Sequence, residues 1–205
     1  LHEEQTPFQK IQLVDSERYG SMLLLDGVVQ TTEKDEFVYH EMLTHVPMFA
    51  HENPRRVLII GGGDGGILRE VLRHPTVEQV TMVEIDEAVI NFSRKHLPKI
   101  NDGAFDDPRA DIRIDDGAKY IKETKGWFDV AIVDSCDPIG PATVLFQKEF
   151  YGMVSDRLTD KGILVRQTGS TILQPEIQRD ACKQLQPVFP WNAIYVFAVP
   201  TYIGG

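Results

Sequence analysis

The chain lacks several features that would assign it to a specialised class of protein. It has two cysteines, Cys136 and Cys182, without the spacing of a metal or redox motif, so no disulfide framework is expected. No apolar run approaches the ~20 residues that a membrane helix needs. The first four residues, Leu1-His2-Glu3-Glu4, do not form a basic and then apolar secretory leader. We therefore expect a cytoplasmic protein with no membrane partner.

Basic residues are also scarce. The 205 residues include 21 Lys and Arg against 31 Asp and Glu, which gives a formal net charge of −10. This balance argues against nucleic acid as a partner, because nucleic acid is bound by basic patches, and it suits a cationic ligand. With 42% hydrophobic and 25% charged residues the composition is that of a globular protein and excludes a disordered chain.

The sequence pattern changes near residue 51. Before that point three short β-rich runs occur, at residues 11–14, 21–25 and 28–30. Asp26-Gly27 between two of these runs predicts a hairpin. A helix is expected to follow from about residue 34 to about residue 49, with Thr32 as its cap and Pro47 as a kink or terminator. Residues 1–50 thus form a small N-terminal β-hairpin domain with a linking helix.

From residue 51 to residue 205 strands and helices alternate. Strands are predicted at residues 56–60, 79–83, 112–114, 130–133, 162–165 and 193–196. Helices are predicted at residues 66–73, 87–94, 118–122 and 145–157. Short apolar strands separated by helices indicate a parallel sheet that is covered on both faces. The expected fold is a Rossmann-like, doubly wound, mostly parallel α/β domain.

A glycine-rich turn follows the first of these strands. Gly61, Gly63 and Gly66 satisfy the G-x-G-x-x-G pattern, which permits a tight turn and close approach of a ligand to a helix N-terminus. Twenty-one residues after Gly63, Glu84 ends the next strand, where a carboxylate commonly accepts ribose hydroxyls. The pattern predicts a nucleoside site, with a purely structural glycine turn as the alternative.

Acidic residues follow the ends of four successive strands, and these ends lie along one edge of a parallel sheet. The acids concerned are Asp64, Glu84, Asp86, Asp115, Asp116, Asp134 and Asp137. Some of them, such as Asp86 and Asp115, could simply cap the following helices. Otherwise so many carboxylates need compensating cations, whether side chains, a metal or the ligand. A positively charged nucleoside would fit this crevice better than a pyrophosphate.

Two histidines could suggest a metal site, but their spacing does not support one. His40 and His45 are five residues apart, whereas the zinc motif on a helix needs a spacing of four. We interpret His45 as ordinary helix surface or packing. For Tyr39 and His40, a site role and a role as a core tyrosine beside a solvated histidine both remain open. The two cysteines are interpreted as packing residues.

In combination, six stretches of the chain resemble the polyamine aminopropyltransferases, bacterial spermidine synthases in particular. These stretches are residues 25–42, 61–66, 83–86, 115–117, 134–141 and 200–202, which occur in the order and spacing of that family. The resemblance implies a methyltransferase-type fold. It also implies transfer of an aminopropyl group from decarboxylated S-adenosylmethionine to a diamine, putrescine by default, without a metal or a further cofactor. A homodimer or homotetramer is implied, with the N-terminal β piece at the contact.

The resemblance also implies roles for individual residues. Asp134 matches the catalytic base, and Tyr39 is expected to orient the amine. The positions implied to bind the donor nucleoside are Gln9, Gly61, Gly63, Asp64, Glu84, Asp116, Gly117 and Pro141, with Asp64 on the aminopropyl ammonium. The positions implied to bind the acceptor amine are Gln30, His40, Asp64, Asp134, Ser135, Cys136, Asp137 and Tyr202. Residues 138–146 are expected to act as a lid.

Other functions remain open at this point. The nearest alternative is an S-adenosylmethionine-dependent amine N-methyltransferase on the same scaffold. A second is a catalytically silent nucleoside- or polyamine-binding protein, and a nicotinamide dehydrogenase is a more distant third.

The acceptor is also open, because cadaverine, agmatine, aminopropylagmatine and spermidine compete with putrescine. Arg166 departs from the family pattern and could alter the acceptor site or pair with a neighbouring acid. The family normally continues beyond Pro200-Thr-Tyr202, so we expect the C-terminal end of the domain to be incomplete.

Overall fold

The computed structural model describes residues 2–135 and 140–202, with the backbone alone at residues 140 and 141. The predictions for Cys136, Asp137 and the side chain of Pro141 therefore lie outside the described residues, as does part of the expected lid. Within the described ranges, no helix has both the length and the apolar character needed to span a membrane.

The N-terminal part is a four-stranded antiparallel sheet in chain order. Its strands are β1 (His2–Gln5), β2 (Lys10–Ser16), β3 (Gly20–Leu25) and β4 (Val28–Thr32). Asp26 and Gly27 connect β3 to β4 with φ angles of 49° and 80°, as a two-residue hairpin turn requires. The predicted hairpin is thus confirmed, whereas β1 was not predicted. Ile11 and Leu23 are buried with residues of the following domain and attach the sheet to it.

Helix α1 (Glu36–Ala50) links the two parts of the chain. Its N-cap residue is Asp35 and not Thr32, and the carboxylate of Asp35 makes no capping bond to the helix. Pro47 lies inside α1, which continues to Ala50, so the prediction of a terminator was wrong. The buried face of α1 packs on the first helix of the second domain.

Among the described residues, the main sheet has five parallel strands. They are β5 (Arg56–Gly61), β6 (Gln79–Glu84), β7 (Ala110–Ile114), β8 (Phe128–Asp134) and β9 (Leu158–Arg166), in the order β7-β6-β5-β8-β9. This order confirms the doubly wound fold. The predicted strand at residues 193–196 is wrong, because no described strand pairs with that segment. Ile194 and Val196 are more than half exposed there.

Helices cover both faces of the main sheet. They are α2 (Gly66–Leu72), α3 (Glu87–His96), α4 (Pro98–Asn101), α5 (Gly117–Glu123), α6 (Lys148–Ser155) and α7 (Pro175–Leu185). Two 3-10 helices occur at Ala104–Asp106 and Gly140–Phe146. The second occupies the start of the helix predicted at residues 145–157, which therefore begins later than expected.

The central strands are buried on both sides, which explains their continuous apolar sequence. Val57 and Ile59 of β5 belong to the core beneath α1 and α2, whereas Leu58 and Ile60 belong to the core beneath α5 and α6. The strand order reverses between β5 and β8. In open parallel sheets a crevice forms at this reversal, beyond the carboxyl ends of the strands.

Candidate active site

The carboxyl ends of β5 and β8 meet at the point where the strand order reverses. Gly61 lies in register with Asp134, and the Gly62 N–H donates to the Asp134 carbonyl oxygen at 3.1 Å. Gly61 has a φ of 85°, and a Cβ there would lie 2.0 Å from that carbonyl oxygen. The first glycine of the motif is therefore required by the close approach of β8, whatever ligand binds.

The glycine turn also brings two predicted donor-binding acids to the crevice. Asp64 is buried in the turn, and its Oδ1 accepts a hydrogen bond from the Gly66 N–H at 2.8 Å. A Cβ on Gly63 would lie 3.1 Å from Glu84 Oε2, so the turn passes close to the end of β6. Asp64 and Glu84 are thus both placed at the carboxyl edge of the sheet.

Asp134, the predicted base, is held by Tyr39 from α1. The Tyr39 hydroxyl donates a short hydrogen bond to Asp134 Oδ1. Burial first, and then the negative charge of Asp64, raise the pKa of Asp134 to about 6, although the Tyr39 bond and His40 act in the opposite direction. Burial also raises the pKa of Tyr39 well above its usual value, so Tyr39 remains a donor. Asp134 can therefore exchange a proton close to neutral pH.

Glu84 is a second carboxylate with a perturbed pKa. Burial raises its pKa to about 7, and the nearby carboxylate of Asp86 adds to this effect. The Asp86 N–H donates to Glu84 Oε1 at 3.0 Å and partly offsets the shift. In the absence of a ligand, Glu84 is therefore about half protonated at neutral pH.

A side-chain cation compensates part of this acidic cluster. His40 lies between two carboxylates, with Nδ1 on Glu36 and Nε2 3.2 Å from Asp64 Oδ2. Burial alone would lower the pKa of His40, but Asp64 and Glu36 together raise it to about 10. His40 is 1% exposed, so its contact with Asp64 is buried.

The N-terminal sheet also reaches the site. Gln9 Nε2 donates to Asp86 Oδ2 at 3.1 Å, and the Thr6 hydroxyl donates to the same oxygen at 2.7 Å. Gln9 is therefore placed beside the carboxyl end of β6. The side chain of Gln30 turns towards its own strand and donates to the Val28 carbonyl oxygen at 3.2 Å.

Two of the acids cap helices. Asp86 accepts from the Ala88 N–H at 3.1 Å and caps α3, as expected. Asp116 caps α5 by accepting from the Lys119 N–H at 2.9 Å. Asp115, which was expected to cap α5, instead pairs with the Lys119 ammonium at 3.0 Å. The adjacent Gly117 lies against β5, where a Cβ would be 2.4 Å from Ile60 Cγ2.

The segment before residue 203 brings Tyr202 to the site. Its ring lies 5.7 Å from the Tyr39 ring, and its hydroxyl donates to the Gln30 carbonyl oxygen. The preceding Thr201 is held by Asp35, whose carboxylate accepts from the Thr201 N–H at 2.9 Å and from its hydroxyl at 2.8 Å. Tyr202, Tyr39 and Asp134 are thus brought together from three distant parts of the chain.

Ser135 follows Asp134, the last residue of β8. Its carbonyl oxygen accepts from Gln167 Nε2 at 2.6 Å, and its hydroxyl is buried without a partner among the described residues. Gln167 therefore fixes the backbone immediately after the predicted base.

Five site residues were not predicted from the sequence: Asp35, Glu36, Arg69, Gln167 and Thr201. Glu36 could have been found, because its spacing of four from His40 places both side chains on one helix face. No local pattern points to Arg69 or Thr201, whose partners Glu36 and Asp35 lie 33 and 166 residues away in the sequence.

Arg166, which departs from the family pattern, does not pair with an acid among the described residues. Its Nη1 donates to the Leu145 carbonyl oxygen at 2.7 Å and to the Tyr151 hydroxyl at 2.6 Å. Its guanidinium lies 3.5 Å from the centre of the Phe146 ring, and its Nη2 is buried with no described partner. Arg166 therefore ties Gly140–Phe146 and α6 to the end of β9.

Comparisons with protein families and curated proteins agree on one relationship. Residues 36–205 match the model of the spermine/spermidine synthase domain, and residues 1–33 match that of the spermidine synthase tetramerisation domain. The chain is 50% identical to a polyamine aminopropyltransferase of Bacillus cytotoxicus over its full length, which covers 74% of that protein. It is 52% identical to one from a Thermoanaerobacter species, covering 98% of this chain and 72% of the relative.

Two solved structures that resemble this chain are also spermidine synthases. A spermidine synthase in complex with the transition state analogue AdoDATO matches with a TM-score of 0.95 and 44% identity, covering 98% of this chain and 69% of the other. The spermidine synthase of Thermotoga maritima matches with a TM-score of 0.86 and 44% identity, covering 93% and 64%.

Proposed function

Because the chain belongs to the spermine/spermidine synthase family, we propose that it transfers the aminopropyl group of decarboxylated S-adenosylmethionine to a diamine. The products are a longer polyamine and methylthioadenosine. The two curated relatives are named polyamine aminopropyltransferases, and a structural neighbour binds a transition state analogue, which supports this reaction over N-methyl transfer or silent binding.

One observation carries the chemical part of the proposal. Asp134 is a carboxylate that ends β8 beside the glycine turn, accepts from Tyr39, and has a pKa of about 6. A general base near neutral pH must be deprotonated at the working pH and yet able to take a proton, and Asp134 meets both conditions.

The acceptor amine must lose a proton before it can react. An alkylamine has a pKa near ~10.4, like that of lysine, so it enters as an ammonium ion. Desolvation in the crevice lowers the amine pKa, and Asp134 takes the proton as the lone pair forms. The nitrogen then attacks the aminopropyl carbon. A C–N bond forms, the C–S bond breaks, and its electron pair neutralises the sulfonium. Since the leaving group departs uncharged, this displacement requires no metal.

The remaining roles follow from charge and position. Asp64 holds the donor's ammonium group, Glu84 accepts the ribose hydroxyls, and Asp116 with Gly117 contacts the adenine. Gln9 supports the nucleoside side from the N-terminal sheet. On the acceptor side, Tyr202 and Gln30 flank the amine next to Tyr39. The proposed roles of Cys136, Asp137 and Pro141 concern residues outside the described part.

We propose putrescine as the acceptor. The crevice contains Asp64 and Asp134, and the negative charge of Asp64 is felt by Asp134. With Asp64 on the donor's ammonium, Asp134 is left for the reacting end of the diamine, and the likeness to two spermidine synthases supports putrescine as that diamine. The match of residues 1–33 to a tetramerisation domain supports assembly of several copies through the N-terminal sheet, and we propose a homotetramer.

Product analysis by mass spectrometry tests the reaction. The protein is incubated with decarboxylated S-adenosylmethionine and a mixture of putrescine, cadaverine, agmatine and spermidine, and with intact S-adenosylmethionine in a parallel tube. Methylthioadenosine together with spermidine is the expected result. Consumption of the intact donor, or of neither donor, would contradict the proposal. Another elongated amine would overturn only the choice of putrescine. Glu78→Gln, an exposed charge change far from the crevice, serves as the control variant.

A further inference from the structure

A chain of buried charged side chains begins at Asp64 and runs between α1 and α2. Asp64 contacts His40 at 3.2 Å, and His40 contacts Glu36. Glu36 in turn forms a two-pronged ion pair with Arg69, with distances of 2.9 and 3.0 Å. Arg69 continues to Glu70, which is fully buried, at 2.7 Å. Positive and negative groups alternate along the chain, so each ion has a neighbour of opposite sign.

In this chain of charged side chains, Glu36 contacts both cations, His40 and Arg69. It is 7% exposed, and its two carboxylate oxygens are shared between Arg69 and His40. With Glu36 on Nδ1 and Asp64 on Nε2, the imidazole of His40 faces a carboxylate at each nitrogen. A neutral imidazole carries one N–H, and it would leave one of these carboxylates facing a lone pair. Because the surroundings lower the pKa of both Glu36 and Asp64 and so keep both carboxylates ionised, this geometry favours a doubly protonated His40.

The position of this imidazolium distinguishes two neighbouring acids. Asp64 and Asp134 lie close enough that the charge of Asp64 raises the pKa of Asp134. Two such carboxylates favour one shared proton over two negative charges. His40 contacts Asp64 and makes no hydrogen bond with Asp134, whose described partner is the hydroxyl of Tyr39. The cation therefore holds Asp64 in the anionic form and leaves the proton to Asp134.

We propose that Glu36 is a positioning residue that keeps His40 as an imidazolium. As a result, Asp64 stays ionised and Asp134 is the acid that accepts the proton. This inference rests on the proposed function, in which Asp64 binds an ammonium group and Asp134 accepts a proton. Glu36 acts through His40 and touches neither substrate.

The surroundings of the two titrating groups are defined by the elements packed against them. His40 is faced by Glu36 and Tyr39 from α1 and by Asp64 from the glycine turn, while Arg69 of α2 reaches it through Glu36. Asp64 is influenced by His40, Arg69 and Asp134, and its charge also acts on Tyr202. Glu36 and Asp64 are thus the only described carboxylates in direct contact with the His40 ring.

Nitrogen-15 NMR of the imidazole side chains tests the inference without any turnover. In the unchanged protein the His40 signal, assigned by its loss in His40→Gln, should show both nitrogens protonated up to pH 8. In Glu36→Gln, which keeps the side-chain shape and removes the charge, His40 should lose a proton at lower pH than in the unchanged protein. Glu78→Gln removes an exposed carboxylate that pairs with Arg55 and should leave the His40 signal unchanged. A His40 that stays doubly protonated in Glu36→Gln would overturn the inference.

The pH profile of kcat/KM provides the second readout. Without the imidazolium the pKa of Asp64 rises, a larger fraction of Asp64 is neutral, and the donor's ammonium is held less well. The acid limb should therefore move to higher pH by about one unit in His40→Gln, and in the same direction by a smaller amount in Glu36→Gln, where Asp64 still supports protonation of the ring. The double variant should show the same shift as His40→Gln alone, because Glu36 acts through the imidazolium.

Two outcomes separate this role from a structural one. A uniform loss of kcat/KM at every pH, with the acid limb in place, would contradict the inference and indicate that Glu36 only stabilises α1 against α2. If Glu36→Gln does not fold, His40→Gln alone decides, because an unmoved acid limb in that variant overturns the inference. If the unchanged protein transfers no aminopropyl group, the proposed function fails, and the NMR titration still tests the charge of His40.

Discussion

The affinity for methylthioadenosine should depend on pH through Glu84. In the unliganded site, burial raises the pKa of Glu84 to about 7, and a carboxylate that accepts two ribose hydroxyls must be ionised. Nucleoside binding therefore selects the anionic form and lowers the pKa of Glu84. Protons are released on binding, and lowering the pH opposes binding.

The magnitude follows from the unliganded pKa. With a pKa of about 7, the ionised fraction of Glu84 falls from about nine-tenths at pH 8 to about one-tenth at pH 6. If the bound nucleoside keeps Glu84 ionised throughout, the affinity falls about tenfold over this range, which corresponds to about 1.4 kcal/mol. At pH 7 about half a proton should be released per bound nucleoside.

Isothermal titration calorimetry measures both quantities. Titrations at pH 6, 7 and 8, each in two buffers of different ionisation enthalpy, give the affinity and the number of protons released. Glu84→Gln should bind more weakly and show a flat profile. Asp134→Asn should keep most of the pH dependence, because the charge of Asp134 contributes less to the raised pKa of Glu84 than burial and Asp86 do, and this separates Glu84 from the other carboxylate with a raised pKa. An affinity that does not change between pH 6 and pH 8 in the unchanged protein would refute the assignment of Glu84, as would a pH dependence that survives in Glu84→Gln.

Three further substitutions test other parts of the site. Asp134→Asn should lower kcat by about 10²–10⁴-fold with methylthioadenosine affinity nearly unchanged, measured by steady-state kinetics and calorimetry, and near-normal turnover would exclude Asp134 as the base. Gly66→Ala places a Cβ 2.2 Å from the His40 ring and should destabilise the protein by about 1–3 kcal/mol in urea unfolding. The control Gly152→Ala in α6 meets no atom within 4 Å and should stabilise it by up to about 1 kcal/mol; equal effects of the two would contradict the packing argument. Thr201→Val loses the hydroxyl bond to Asp35 and should raise KM for the amine about fivefold to tenfold, with KM for the donor unchanged and with rescue by Thr201→Ser.

Periodicity and turn residues were enough to predict most of the fold. The central strands β5 and β8 contain apolar runs between turn signals, so the parallel arrangement could be inferred before any contact was known. The predicted strand at residues 193–196 failed because an apolar run becomes a strand only when it can pair. Ile194 and Val196 are exposed in a segment that has no described strand as a neighbour.

The acidic character of the crevice was predictable because parallel strands end at one edge of a sheet. The identity of the cation that compensates these carboxylates was not predictable from the sequence. The sequence left side chain, metal and ligand as alternatives, and Arg69 reaches Glu36 only through the packing of α2 on α1. His40 was expected in the amine channel, and its ring is buried against Asp64, a contact that depends on which face of α1 is buried.

The tie between Thr201 and Asp35 also has a consequence for how the protein acquires its site. This contact closes a loop of 166 residues, and the bond from Tyr202 to Gln30 closes one of 172. Contacts so distant in sequence form late, because the chain entropy that they cost is repaid only after the intervening sheet exists. During synthesis the N-terminal part emerges first, and the glycine turn and Asp134 follow. Tyr202 therefore reaches Tyr39 late, so a partly synthesised chain can form the glycine turn and place Asp134 beside it before Tyr202 is in position.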